Sequence, residues 1–204
     1  MRGATVSRGR PRTFDREDAL NSAMKLFWRK GYTATSMSDL YEVMGINSPS
    51  LYAAFGSKEA LYEEVLEHYE KRIAPLIWSA MLAEPDPHEA VWLWLKNSAE
   101  ALTRCDLPHG CMVTLSAVAS EGHERLGALV LRLRQSGKAL LRARLVQAVE
   151  QNRLPAGTDL DALAGLYVSI QQGMSVQARD GASREELLAV ARMAMSLWPQ
   201  PEMA

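Results

Sequence analysis

Capped helical segments follow one another from Asp15 to Trp198, and no stretch between them alternates apolar and polar residues as a half-buried strand would. That cadence restricts the chain to an all-α fold. The first helix is expected from about Asp15 to Lys30. Its acidic residues Asp15, Glu17 and Asp18 sit where the helix dipole favours anions, and Arg29 and Lys30 sit at the opposite end. Ala19, Leu20, Ala23 and Phe27 form its buried stripe, and Gly31 closes it with Tyr32 packing back. In "TSMSDLYEVMG", Ser36 and Asp39 have capping-box spacing, and Met37, Leu40 and Met44 recur at helical intervals up to Gly45. Ser48 is then expected to cap a third helix with Pro49 at its first position, where a missing N–H costs nothing. Gly56 ends that helix, and Ser57 caps a fourth running from Lys58 to about Met81 with a bend at Pro75.

Past the loop "AEPDPHE", helices are expected over His88 to Thr103, over "CMVTLSAVASE", near Glu124 to Gln151, near Leu160 to Arg179 and near Arg184 to Leu197, nine in all. Residues 1–12 read as a flexible basic arm, 13–73 as a small head and 74–204 as a larger body, with the fourth helix shared between the two.

A net charge of -1 gives the whole molecule no general attraction to nucleic acid. The distribution is more informative. Arg2, Arg8, Arg10 and Arg12 crowd the first twelve residues with no acid among them, a pattern that suits phosphates or a minor groove. No N-terminal apolar core is present, and every apolar run stops well short of about 20 residues, so a cytoplasmic location is expected. Two cysteines, Cys105 and Cys111, fit a reducing compartment. The four histidines are dispersed. "EGHE" lacks a second pair at ligand spacing, and no phosphate loop, nucleophile elbow or "HExxH" occurs. Neither a metal, a cofactor nor an enzyme activity is expected.

The third helix raises the sharper expectation. On a helical wheel Leu51 and Phe55 point inward, whereas Pro49, Ser50, Tyr52 and Ala53 fall on the opposite or flanking face. Two short helices joined through a glycine, the second with small outward residues, read as a helix-turn-helix. Such a helix must enter a major groove about 12 Å wide, and bulk on its outer side would hold it off. Tyr52 can reach a phosphate at the groove edge. Ser57, the free amides and Lys58 at the start of the next helix can hold another.

The stretch Leu26 to Leu66, "LFWRKGYTATSMSDLYEVMGINSPSLYAAFGSKEALYEEVL", resembles the DNA-binding domain of TetR-family transcriptional repressors. The resemblance implies a homodimer on a pseudo-palindromic operator, with DNA affinity lowered by a small ligand in the body. Carried over by position, Ser36 and Ser38 contact phosphate or a base edge, Ser48, Pro49, Ser50 and Ala53 face the groove, and Tyr52 and Lys58 hold the backbone. The recognition helix has no arginine, lysine or glutamine, and Asn47 is the sole amide nearby, so direct readout should be weak. Specificity would then rest on DNA shape and on Arg8, Arg10 and Arg12 in the minor groove.

In the body, the last helix is apolar almost all round. Gly165, Ser169 and Gly173 form a small-residue stripe on the helix before it. A dimer interface is expected over these and Leu187, Ala191, Ala194 and Trp198, with an intramolecular core as the alternative. The ligand pocket is expected among Trp78, Met81, Trp92, Trp94, Met112, Leu115, Leu129, Leu133, Gln171 and Met174, with Thr114 also able to orient a ligand. An apolar, aromatic effector fits those walls. The alternative is oxidant sensing through Cys105 and Cys111, which bracket "CDLPHGC".

Overall fold

The computed structural model describes residues 15–200, so Arg8, Arg10 and Arg12 lie outside the described residues. Over residues 15–200 the chain is all-α, with nine helices. They are α1 (Arg16–Lys30), α2 (Met37–Met44), α3 (Ser48–Phe55), α4 (Lys58–Arg72), α5 (Ala74–Ala83), α6 (Pro87–Leu102), α7 (Glu124–Glu150), α8 (Leu160–Arg179) and α9 (Arg184–Met195). No helix among the described residues is long and apolar enough to cross a membrane.

Local chemistry sets most boundaries. The Asp15 carboxylate accepts the Glu17 and Asp18 amides at 2.8 and 3.1 Å, satisfying orphan donors of α1. Ser36 and Asp39 close the expected capping box on α2. Asp39 also binds Lys30 at 2.9 Å. That ion-paired hydrogen bond first, and the Ser36 backbone second, hold its carboxyl down at about 2. Gly45 ends α2 in the left-handed region (φ 64°, ψ 28°), which a glycine enters without a Cβ clash, and the chain turns directly into α3.

Three expectations need correction. The cap of α3 is Asn47, whose Oδ1 accepts the Ser50 amide at 2.9 Å, and not Ser48, which already lies in the helix. The amide of Asn47 reaches the orphan donor, so the helix begins a residue early. Second, the fourth helix is not continuous to Met81. It ends at Arg72, and α5 starts at Ala74, because Pro75 has no N–H and its ring clashes with the carbonyl four residues back. Third, "CMVTLSAVASE" forms successive turns instead of a helix. Arg134 of α7 explains this. Its guanidinium donates to the carbonyls of Val113, Thr114 and Ser116 at 2.9 to 3.1 Å, occupying acceptors that a helical ladder would need.

Two buried clusters result. One joins Leu20, Phe27, Leu40, Leu51, Phe55, Leu61 and Val65 of the first four helices. Its aromatic centre is Phe27, Tyr32 and Tyr62, with Tyr62 edge-on to both neighbours at 5.0 Å. Met112, Val113, Val118, Leu126 and Val130 belong to the same cluster, so the turn segment and the start of α7 form the seat of the head. The other cluster fills the space among α5 to α9 around Trp94, Leu95, Leu145 and Tyr167.

The expected dimer residues divide. Leu187, Ala191, Ala194 and Trp198 are buried within this chain, so they cannot carry an interface. Trp198 packs on His88 at 5.0 Å and donates its indole N–H to the Arg153 carbonyl. The opposite side of α9 is the open one: Met193 is 69% and Leu197 51% exposed. On α8, Ser169 is exposed and Gly173 half-buried, flanked by exposed Leu166 and Val176. A β-carbon at half-buried Gly165 would lie 3.8 Å from Lys138 Nζ, so that glycine opens towards α7. An apolar stripe along α8 and α9 is therefore left uncovered. The α9 residues left uncovered are thus not the ones picked on the helical wheel, since both sides of that helix are apolar.

Candidate nucleic-acid interface and ligand cavity

The helix α3 is anchored from below. Leu51 is fully buried and Phe55 nearly so, while Pro49, Tyr52 and Ala53 are exposed and Ser50 is half-buried. Fully burying an apolar side chain contributes about 1.5–3 kcal/mol, so the two inward residues fix the helix without help from its outer face. Ser36 and Ser38 are exposed at the start of α2, although the Ser36 hydroxyl is occupied in its cap. Asn47 is exposed beside them. Its carbonyl oxygen serves the cap, and its amino group is the end left for a base or phosphate.

Tyr41 is the residue that wheel reasoning passed over. Its hydroxyl donates to the Ser48 Oγ at 3.0 Å, across the turn between α2 and α3. It also lies close enough to the Tyr52 hydroxyl to raise that group's pKa, by charge repulsion and then by hydrogen bonding. A phenol on the flank of α2 thus orients two groups of the exposed face. The only signal in sequence was a tyrosine beside, and not within, the Leu40–Met44 stripe.

Lys58 stands at the head's junction with the body. Its ammonium rests 4.4 Å from the centre of the Tyr32 ring, and burial lowers its pKa while nearby Glu121 works against that shift. Around it, Thr33 donates to Glu121 at 2.7 Å and His123 packs edge-on to Tyr32 at 4.6 Å. Further ties run between head and body. Tyr62 and Ser116 hydroxyls are 3.1 Å apart, and Tyr69 donates to Cys111 Sγ at 3.2 Å. Arg179 at the end of α8 donates to the Trp28 and Arg29 carbonyls, which are unsatisfied at the end of α1.

A cavity of about 290 Å³ lies on the body side of those ties. Of the expected pocket residues, Trp78, Leu133 and Gln171 line it, as do Trp94 and Thr114. Met81, Met112 and Met174 are instead packed in the two cores. Leu129, Leu115 and Trp92 do not line it either: Leu129 packs on the head cluster, Leu115 lies beside Gly110, and Trp92 flanks the body core. Methionine and aromatic residues at helical spacing mark any helix interface, so the spacing could not separate wall from core. Cys111, Arg134 and Lys138 are among the lining residues that sequence reasoning did not assign to the pocket. Cys105 is exposed. Among the described residues no group of three or more histidine, cysteine or carboxylate side chains is placed to hold a metal.

A capped two-helix turn with a shallow exposed face, mounted on a helical body with a cavity, defines a helix-turn-helix DNA-binding regulator. Comparison with known proteins agrees. Residues 19–65 match the family model described as bacterial regulatory proteins, tetR family. The chain is 37% identical over 196 residues to the HTH-type transcriptional repressor ComR of Escherichia coli (strain K12), covering 95% of this chain and 93% of ComR. It is 31% identical over 186 residues to the repressor BdcR of the same organism, covering 91% and 90%. Among solved structures it is similar to a cysteine mutant of the TetR-family regulator CifR complexed with a 26-base-pair operator. There the TM-score is 0.88 at 38% identity, covering 94% of this chain and all of the other. The chain belongs to the TetR family of transcriptional regulators, which bind DNA and are not enzymes.

Proposed function

We propose that this protein is a cytoplasmic homodimeric repressor whose heads, residues 13–73, enter successive major grooves of a pseudo-palindromic operator about 34–36 Å apart, and that an effector in the body, residues 74–204, releases it. One observation carries the DNA reading. The outer face of α3, with Pro49, Ser50, Tyr52 and Ala53, is shallow and uncovered, while Leu51 and Phe55 hold the helix from below. Asn47, Ser48, Ser36 and Ser38 flank that face. Lys58 would leave the Tyr32 ring to meet a phosphate at the start of α4. The arginines of residues 1–12 supply minor-groove charge. The uncovered stripe of Leu166, Ser169, Gly173, Val176, Met193 and Leu197 supports pairing of α8 and α9 with their two-fold mates.

The position of the cavity supports effector coupling. Cys111, Val113 and Thr114 line it, and their turn segment also ties down the head through Tyr69, Tyr62 and Thr33. A ligand that shifts this segment changes the seat of the head. A coupling of about 1–3 kcal/mol is typical of such systems. The test uses an operator selected from random duplexes, with affinity measured against salt. Binding should fall steeply as salt rises, and Lys58→Ala should weaken all sequences alike while flattening the slope. A salt-independent affinity, or no enriched sequence, overturns the reading.

A second reading, release by oxidants, draws on the position of Cys111. Cys111 lines the cavity and is half-buried, and Cys105 is exposed, which supports access of a peroxide to both. The two thiols would give up two protons and two electrons to form one disulfide as the peroxide is reduced to water. Peroxide-dependent operator release that disappears in Cys111→Ser would favour this reading over a non-covalent effector.

A further inference from the structure

The cavity has more polar chemistry than an apolar effector would use. Arg134 and Lys138 lie one helical turn apart on α7, and both line it. Neither makes an ion pair among the described residues. The acid that feels Lys138, Asp161, is bound at 2.9 Å by Arg142. Arg134 donates to three backbone carbonyls, which are neutral acceptors and leave its charge uncompensated. Trp94, beside them, carries a buried indole N–H. Trp94 is 1% exposed, it lines the cavity, and its Nε1 has no hydrogen-bond partner. The single carboxylate of the lining is Glu70, which is exposed and makes no ion pair with either cation among the described residues.

A half-buried cation such as Arg134 without a countercharge is costly beside apolar walls, exposed Lys138 adds to the positive potential there, and a ligand with acceptor atoms and negative charge relieves that cost. A cationic ligand would add to the repulsion, and a purely apolar one would leave every donor as it is. We propose that the cavity takes a small planar aromatic carboxylate, its ring among Ile77, Trp78, Trp94 and Val168 and its charge towards Arg134 and Lys138. The volume of about 290 Å³ is at the lower end of ligand pockets, which suits a compact molecule with one charged group. This inference rests on the reading of the cavity as the effector site.

The test titrates the full-length protein with three probes of similar size on one ring system: naphthoate, naphthamide and naphthylmethylammonium. Binding is read from tryptophan fluorescence, and operator release separately from the anisotropy of labelled duplex. Naphthoate should bind at least about tenfold more tightly than the amide, with the amine weakest. Lys138→Glu, a change at an exposed position, should reduce naphthoate to the level of the amide. Equal affinities for naphthoate and amide, unchanged naphthoate binding in Lys138→Glu, or no binding by any probe would each overturn the assignment. Selective naphthoate binding without operator release supports the ligand class and removes the effector reading instead. Operator release by the amine with naphthoate silent overturns the ligand class and leaves the effector reading intact.

Discussion

The head and the body keep their polar groups in opposite places. In the head, the interior around Phe27, Leu40, Leu51 and Leu61 is filled with apolar side chains, and the hydroxyls and amide of α2 and α3 face out. In the body, Arg134 and Gln171 line a gap between helices, and the Trp94 indole N–H, the Ser98 hydroxyl and Arg144 Nε are buried without partners among the described residues. A surface that must fit a duplex needs a rigid base and little bulk outside. A receptor for a small molecule needs an interior left incompletely filled, with donors waiting for a guest. The head also holds one unpartnered buried donor, the Trp28 indole N–H, so the contrast between the two units is one of degree.

The largest expected effect tests the rigid base. Leu51→Ala should destabilise the protein by about 2–5 kcal/mol in thermal or urea unfolding, because it opens a cavity beneath α3. A loss under about 1 kcal/mol would mean that the head does not depend on its filled interior. The outer face should behave in the reverse manner. Ala53→Phe should leave stability within about 0.5 kcal/mol and lower operator affinity by about a hundredfold, as bulk holds the helix off the groove. If stability falls instead, the face is not free.

On the body, Met193→Asp should leave each protomer folded by circular dichroism while raising the dimer dissociation constant by about tenfold or more in sedimentation equilibrium. An unchanged dimer would place the interface elsewhere. A smaller effect, about 0.5–1.5 kcal/mol in operator affinity, is expected for Tyr41→Phe, which removes the bond to Ser48 and frees Tyr52. Its signature is altered preference among operator variants with unchanged unfolding.

The smallest effect is one of pH. His68 of α4 is bonded to Asn21 of α1 at 2.7 Å, and burial, then Lys71, lower its pKa below the usual 6.5. A histidine with a lowered folded pKa is held neutral by the fold. Its contribution is therefore complete above pH 6.5 and declines as pH falls from there towards the folded pKa. Replacement by glutamine should remove that decline from the pH dependence of unfolding. An identical pH profile would show that His68 is not the titrating group.

How much of this could be read beforehand follows from the range of the forces involved. Ser36 and Asp39 are three residues apart, and Gly45 ends α2 whatever surrounds it, so the head's turn was legible. The resemblance of Leu26 to Leu66 to the TetR-type head rests on such local rules. The cap at Asn47 was misjudged by one residue, as competing neighbours at a helix start often allow. The failure at "CMVTLSAVASE" had another origin. Its carbonyls are claimed by Arg134, some twenty residues downstream, and nothing local to the segment announces that guanidinium.

The amino-acid order alone determined the all-α class, the capped turn and the shallow outer side of α3, because capping and helical phase act over four or five residues. Only the tertiary structure decided which side of α9 stays uncovered, which tryptophans meet a gap and which merely fill space, and that two cations would face the same hollow. Those outcomes depend on contacts between residues far apart along the chain, where many arrangements satisfy the same periodicity and packing selects one.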